Sequence, residues 1–340
     1  MARIVGVVNV SHSPVCSMPA GNWTELRRTR SLRPDVPEDS EAEQEAKAQR
    51  IGRAFEALSA ELAAMAPDVL VIFGDDHYEC FTFAGFPALA VFVGEKFRGA
   101  SGLPARAADV GKNAGNVTQM VIGFPDLGGA IVAGLLRRGF DPAFCTEVAE
   151  GRHGLGHAIM RPLLALTDLS VPVVPILLNC YFPPQVTGRR AYEIGRAVGQ
   201  AVEEHPSEAR VVVVGSGGLW HTPGSQAAYI DEAFDRAVLD ALCAGEPARM
   251  AELFDTYVPD PSDPSQAPPP GLRQTGMASL GGPQGGTRET CNWIAAAAAA
   301  EGAWVTLLDY IPVYASPVGL GFAYGVTARP RRSTSGSSTP

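Results

Sequence analysis

Short runs of apolar, often β-branched residues recur along the chain. They occupy residues 4–10, 69–73, 88–93, 171–178, 211–214 and 304–308. Continuous apolar runs of this length are typical of strands that are covered on both faces. The pattern therefore predicts a central sheet with two buried faces.

Segments with helical period separate these runs. In residues 41–65, one helical face is apolar and charged residues lie opposite. The apolar face consists of Ile51, Phe55, Leu58 and Leu62. Further helices are expected at residues 188–204, 227–244 and 292–300. Alternating strands and helices indicate an α/β fold, with a central mixed or mainly parallel sheet flanked by helices. We expect a single large domain.

Two stretches interrupt this alternation. Residues 18–40 are polar and basic, and residues 259–286 contain too much Pro and Gly for regular structure. A long loop within a compact domain is usually functional or mobile. The tail at residues 328–340 is rich in Ser, Arg and Pro and is expected to be disordered. The predicted domain is therefore residues 1–327.

Composition narrows the class of protein. Hydrophobic residues make up 46% of the chain, which is enough to fill a core, and the net charge of -9 disfavours nucleic acid as a partner. No run approaches 18 uninterrupted apolar residues, so no membrane span is predicted. The six cysteines form no C-x-x-C pair, and no signal peptide is apparent. We expect reduced thiols and a cytoplasmic location.

Three of the six histidines follow directly after apolar runs. His12 follows the first, His77 follows the run that ends at Phe73, and His221 follows the Gly-Ser-Gly-Gly segment after Val214. In open α/β sheets, ligands bind at the carboxyl ends of the strands. The repeated placement predicts a shared site at that edge.

A second pair of histidines lies four residues apart. His153 and His157 occur in RHGLGHAIMRPL, where two intervening glycines favour a loop that leads into a helix. The pair lacks the Glu of the H-E-x-x-H zinc motif. His153 is a candidate pocket residue, whereas a structural role is favoured for His157.

Carboxylates near these histidines have alternative roles. Asp75 and Asp76 could bind a metal, or they could hydrogen-bond the backbone of their own turn. Glu289 begins the alanine-rich helix, where an acid is also favoured by the helix dipole. Two histidines and one carboxylate are the ligands of many non-haem Fe(II) sites, which keep positions open for substrate and oxygen. A further basic group near the metal could then transfer protons.

Four motifs carry a resemblance to a known family. SHSP, GDDHYECF, GSGGLWH and RETCNW occur in this order, and together they resemble the class III extradiol ring-cleavage dioxygenases, the superfamily of the protocatechuate 4,5-dioxygenase catalytic subunit. The resemblance covers residues 3–326. It implies an α/β catalytic domain that binds Fe(II) and opens a catechol-type ring with dioxygen.

The resemblance also implies roles for individual residues. His12, His77 and Glu289 would bind Fe(II), His221 would be the acid/base residue, and His153 would line the substrate pocket. The chain departs from many members at residues 74–75, where they have Asn or Pro, and at Trp220, where they often have Ser. The GDDHYECF segment and the length are more similar to the gallate and 3-O-methylgallate branch than to the propionate-catechol branch.

Substrate and assembly stay open at this stage. A carboxylated substrate would need a cation, for which Arg273 and Arg288 are candidates. A homodimer is the default expectation, and the sequence does not show whether a small accessory subunit is needed. The alternatives are a metal-dependent hydrolase of the phosphoesterase kind, since GDDH superficially suits a two-metal site, and a non-catalytic binding protein with the same fold.

Overall fold

A mixed sheet of eight strands forms the centre of the computed structural model, which describes residues 1–102, 118–260, 262–266 and 276–327. The strands are β1 (Arg3–Val10), β2 (Val69–Gly74), β3 (Leu89–Phe92), β4 (Lys96–Ala100), β5 (Thr118–Ile122), β6 (Ala143–Cys145), β7 (Val173–Leu178), β8 (Arg210–Ser216), β9 (Ala303–Val313) and β10 (Val318–Thr327). The order in the large sheet is β6-β3-β7-β2-β8-β1-β10-β9, and β4 and β5 form a separate antiparallel pair.

The four central strands β7, β2, β8 and β1 are parallel. They consist largely of valine, leucine and isoleucine, and all but a few of their residues are buried. This is expected where helices cover both faces. Antiparallel strands complete the sheet, with β10 beside β1 and β3 beside β7. The predicted α/β fold with a mixed sheet is confirmed.

Helices cover the sheet on two sides. They are α1 (Trp23–Arg28), α2 (Glu41–Met65), α3 (Pro125–Arg137), α4 (His157–Leu166), α5 (Gly188–Glu203), α6 (Glu232–Cys243), α7 (Pro247–Thr256) and α8 (Thr290–Ala299). Helices α1, α2 and α4 share a core with one face, where Val8 and Val214 point. Helices α3, α5, α6, α7 and α8 share a core with the other face, where Val7 and Val213 point. The alternation of neighbouring residues between the faces produces the three layers.

Some predicted boundaries differ from the structure. The helix expected at residues 227–244 begins at Glu232, because the Asp231 side chain caps it by accepting from the Phe234 amide. Residues 18–40 contain the short helix α1. Residues 328–340 lie outside the described residues, so the predicted disorder of the tail is untested. Within the described ranges, no helix combines the length and the apolar character needed to cross a bilayer.

Candidate metal centre and active site

The segments that follow β1, β2 and β8 meet at one edge of the sheet. These strands are neighbours and run parallel, so their carboxyl ends lie side by side. His12, His77 and His221 follow them, as the sequence predicts. Glu289 lies immediately before α8 and is brought to the same edge by that helix. The structure therefore brings these four residues together.

The buried carboxylate of Glu289 lies at the centre of the cluster. Its Oε2 atom is 3.5 Å from His12 Nε2. Its Oε1 atom is 3.5 Å from His221 Nε2 and 3.8 Å from His77 Nε2. Three imidazole nitrogens from different strands thus surround one carboxylate that is 1% exposed.

The protonation of His12 follows from the partner of its other nitrogen. The Ser216 hydroxyl donates its single proton to the Ala158 carbonyl. It can therefore only accept from His12 Nδ1, which lies 2.8 Å away. This makes Nδ1 the protonated nitrogen and leaves a lone pair on Nε2, directed toward Glu289. Burial also lowers the pKa of His12 well below its usual value, although Glu289 opposes this effect.

His221 is oriented in a similar way. Its Nδ1 donates to the Leu219 carbonyl at 2.9 Å, so its Nε2 carries the lone pair when the ring is neutral. The backbone amide of His221 donates to Thr287 Oγ1, which ties the histidine to the segment before α8. Glycine is required at position 286, because a Cβ atom there would overlap His221 Nε2.

The Gly-Ser-Gly-Gly segment holds the carboxylate of Glu289. Gly217 has a φ of +115°, in the region that favours glycine, and a Cβ atom there would lie 2.6 Å from Glu289 Oε2. The amide of Gly218 donates to the same Oε2 atom at 2.9 Å. The motif therefore permits close approach of the acid and hydrogen-bonds one of its oxygens.

The two adjacent aspartates have different surroundings. Asp76 caps the turn that follows it, because its oxygens accept from the amides of Glu79, Cys80 and Phe81. Asp75 faces the cluster instead, and its Oδ2 lies 2.8 Å from His77 Nε2. The turn-capping role therefore belongs to Asp76, and metal binding by Asp75 stays a prediction.

His157, and not His153, packs against the predicted ligands. The His157 ring centroid is 4.7 Å from that of His12 and 4.9 Å from that of His77. Its Nδ1 is held by Glu79 Oε1 at 2.6 Å. In contrast, the hydrogen bond of the His153 ring goes to the Gly102 carbonyl at 2.9 Å. His157 is the first residue of α4. The sequence offered one signal for its position, since the two glycines before it predict a loop that leads into a helix.

Tyr181 is a further residue that the sequence did not single out. It follows β7, the next parallel strand, and its ring centroid is 4.3 Å from that of His77. Burial, Glu289 and Asp75 all raise the pKa of its phenol, so this group stays protonated. Its place after a strand end, like that of the histidines, was the available signal.

The two arginine candidates for a substrate carboxylate have different outcomes. Arg288 is fully buried, and its guanidinium donates to the carbonyls of Gly281, Pro283 and Val186. It therefore holds the loop before Glu289 rather than facing a pocket. Arg273 lies outside the described residues.

The electrostatics of the cluster fit a cation. Burial alone would raise the pKa of Glu289, but the imidazoles of His221 and His12 hold it well below its usual value, so the carboxylate is ionised. Burial lowers the pKa of His77, yet Asp75 and Glu289 raise it to about 9. The donor set of imidazole nitrogens and carboxylate oxygens suits a divalent first-row metal such as Fe(II).

The chain was also compared with known proteins. Residues 34–283 match the family model described as the catalytic LigB subunit of aromatic ring-opening dioxygenase. The chain belongs to this family. The matched span contains His77, His157 and His221, whereas His12 and Glu289 lie on either side of it.

Two relatives of the chain are named for the same activity. The chain is 31% identical over 184 residues to a 2,3-dihydroxyphenylpropionate/2,3-dihydroxicinnamic acid 1,2-dioxygenase of Photorhabdus laumondii, which covers 53% of this chain and 51% of the relative. It is 31% identical over 173 residues to the Rhodococcus sp. protein of the same name, covering 51% of this chain and 49% of the relative. The chain thus spans about half the length of these relatives.

A solved structure supports the fold. The crystal structure of the uncharacterized protein JW3007 from Escherichia coli K12 superposes with a TM-score of 0.51 at 15% identity, and the match covers 94% of this chain and 99% of that one. The predicted family is confirmed by the family model. The predicted gallate branch is not, and it stays a prediction.

Proposed function

We propose that the protein is an Fe(II)-dependent dioxygenase that opens a catechol-type ring by extradiol cleavage. The observation that carries the proposal is the buried Glu289 carboxylate, which three imidazole Nε2 atoms approach within 3.5–3.8 Å. Family membership supports ring opening as the reaction class.

His12, His77 and Glu289 are the proposed iron ligands. His12 presents a lone pair on Nε2 because Ser216 accepts its Nδ1 proton. Glu289 presents an ionised carboxylate whose Oε2 accepts from one backbone amide. When bound there, a ferrous ion would lower the pKa of the substrate hydroxyls and supply electrons for dioxygen chemistry.

His221 is the proposed acid/base residue. Its Nδ1 proton is held by the Leu219 carbonyl, so the neutral ring can accept a substrate hydroxyl proton only at Nε2. Glu289 and the Leu219 carbonyl raise the pKa of His221 against the effect of burial. The protonated ring can therefore persist and later return its proton to the opening ring.

His157 and Tyr181 are the proposed walls of the substrate site. Glu79 orients His157 through its Nδ1, and Tyr181 packs its ring on His77. A flat aromatic substrate fits beside such rings, since offset and edge-to-face contacts between rings are favourable. The role of His153 as a pocket residue stays a prediction.

The substrate class is an aromatic diol, and the test is oxygen consumption. Anaerobically iron-loaded protein would be offered catechol, protocatechuate, gallate, 3-O-methylgallate, 2,3-dihydroxyphenylpropionate and aminophenols in an oxygen electrode, with formation of a yellow product followed. We expect uptake with at least one diol. The relatives' names favour a propionate-substituted catechol, whereas the GDDHYECF motif favours a gallate-type ring.

Variants of the three proposed ligands test whether these residues bind iron. His12→Ala, His77→Ala and Glu289→Ala should each bind iron far more weakly and lose turnover, whereas His205→Ala, just after α5, should keep both. Full activity of Glu289→Ala would refute the ligand assignment. One iron per chain is expected, in contrast to two ions about 3.5–4 Å apart in a two-metal hydrolase.

A further inference from the structure

Asp75 is a buried carboxylate that lies in ion-pair range of His77 but accepts no well-directed hydrogen bond in the described part of the chain. It directly follows β2 and is 1% exposed, and neither of its oxygens forms a hydrogen bond within the described part of the chain. Burying an ionised carboxylate is costly unless it is paired or coordinates a metal. The neighbouring Asp76 shows the contrast, since three backbone amides satisfy its oxygens.

The oxygens of Asp75 point into the candidate metal centre. One ligand atom each from His12, Asp75 and Glu289 lie within 4.8 Å of one another. His77 Nε2 is 2.8 Å from Asp75 Oδ2, but the pair lacks hydrogen-bond geometry, and Nε2 has no other hydrogen-bond partner among the described residues. Two donor atoms that lie close together without bonding to each other are typical of neighbouring metal ligands.

The spacing agrees with this view. Ligands at about 2.0–2.2 Å from a first-row ion lie roughly 3 Å apart when adjacent and roughly 4 Å apart when opposite. The distances from the Glu289 oxygens to His12 Nε2 and to His77 Nε2, 3.5 and 3.8 Å, fall in this range.

We propose that Asp75 is a fourth protein ligand, so that the centre has two histidines and two carboxylates. This inference rests on the proposed metal centre. A second carboxylate lowers the charge of the ligand set by one and favours ions that prefer oxygen, such as Mn(II), over ions that prefer imidazole, such as Ni(II).

A fourth ligand has a consequence for substrate. Asp75 would hold the metal together with His12, His77 and Glu289, so less of the metal would remain open to a diol and to dioxygen. The effect of Asp75 is best measured on substrate-free protein for this reason.

The experiment is a double-mutant cycle on metal affinity. Mn(II) would be titrated into metal-free wild type, Asp75→Asn, His77→Ala and the double variant, with free Mn(II) measured by electron paramagnetic resonance. Asp75→Asn should weaken binding roughly tenfold or more. The ratio of Mn(II) to Ni(II) affinity should also fall. Asp76→Asn is the matched control, and its folded protein should keep the wild-type affinity; circular dichroism would check folding of each variant.

The cycle separates a ligand from a residue that acts through His77. A ligand keeps its effect when His77 is absent, whereas a residue that only orients His77 loses it. Unchanged affinity in Asp75→Asn, or a loss that disappears in the His77→Ala background, would overturn the proposal. Wild type that bound no Mn(II) or Ni(II) would overturn both the centre and the role of Asp75. Wild type that bound metal but opened no ring would overturn only the proposed activity.

Discussion

At the scale of single residues, the free nitrogen of three imidazoles is selected by the hydrogen-bond partner of the other ring nitrogen. Ser216 sets the tautomer of His12, the Leu219 carbonyl sets that of His221, and Glu79 holds Nδ1 of His157. Because each partner occupies Nδ1, each Nε2 is left for chemistry. Orientation of this kind is expected around metal ligands and proton-transfer residues.

Replacement of His221 tests the division between metal binding and proton transfer. We expect His221→Ala to keep iron, since His12, His77 and Glu289 remain, and to lose roughly 10²–10⁴-fold in kcat because no base receives the hydroxyl proton. Iron content and steady-state oxygen uptake measure the two effects separately. Loss of iron in His221→Ala would contradict the assignment.

Asp235 provides a test of pH dependence away from the metal ligands. Burial raises the pKa of its carboxyl to about 7, although Tyr310 and the Trp220 amide, which donate to it, oppose the effect. The native state therefore holds a proton between about pH 4 and pH 7 that the unfolded chain has lost. This contribution to stability is present at low pH and is lost as the pH rises through 7.

Asp235→Asn should remove this dependence. Wild type should lose up to a few kcal/mol of unfolding free energy through Asp235 when the pH rises from about 5 to about 8. The variant lacks this loss, so its unfolding free energy relative to that of wild type should be higher at pH 8 than at pH 5. Urea denaturation at both pH values measures the difference, and Asp309→Asn, which removes a partly exposed ion pair with Arg50, is the control. An equal difference at both pH values would show that Asp235 does not titrate in this range.

At the scale of elements, close packing of helices on the sheet depends on small residues. Two adjacent glycines in α3 differ in this respect. A Cβ at Gly128 would lie 3.1 Å from the Phe92 carbonyl oxygen on β3, whereas a Cβ at Gly129 would meet no atom within 4 Å. Substitution at Gly129 therefore measures helix propensity alone, whereas substitution at Gly128 also measures packing against β3.

Gly129→Ala should stabilise the protein and Gly128→Ala should not. Alanine in an exposed helical position lowers the entropy cost of folding, so we expect about 0.5–1 kcal/mol for Gly129→Ala. The same gain at position 128 is offset by the contact with β3. Chemical denaturation of the two variants measures the difference. Equal stabilisation would mean that α3 shifts away from the sheet at little cost.

At the scale of the whole molecule, the proposed centre joins elements that are distant in the chain. His12 follows β1, His77 follows β2 and Glu289 precedes α8. An ion bound by all three would bind the folded state only. Its binding free energy would therefore add to the stability of the fold.

Metal removal should lower the melting temperature. At a free metal concentration of about 100 times the dissociation constant, the stabilisation is about 2.7 kcal/mol, which corresponds to a shift of several degrees. Calorimetry with iron under anaerobic conditions and with a chelator measures it. In His12→Ala the shift should shrink or vanish; a shift of wild-type size would show that the metal binds elsewhere. The predicted homodimer would be measured by sedimentation in parallel.

Much of the site could be predicted from local pattern. Apolar runs followed by histidines located His12, His77 and His221, because parallel strands end at one edge of a sheet. The place of Glu289 at the start of a helix left its role open, and its proposed role as a ligand came from the family resemblance. Local pattern did not show which member of two neighbouring pairs contacts the site. Asp75 and Asp76 are adjacent, and His153 and His157 are four residues apart. Alternation along an extended strand would have placed Asp75 on the side of His77.

The sequence alone determined the α/β class, the strands β1, β2, β3, β7, β8 and β9, and the set of residues able to bind a metal, because periodicity and residue chemistry are local properties. Only the tertiary structure decided which of those side chains meet. The turn after β2 leaves Asp75 buried, Gly286 makes room for His221, and the start of α4 places His157 against the rings of His12 and His77. These choices depend on contacts between segments far apart in the chain, which no local pattern contains.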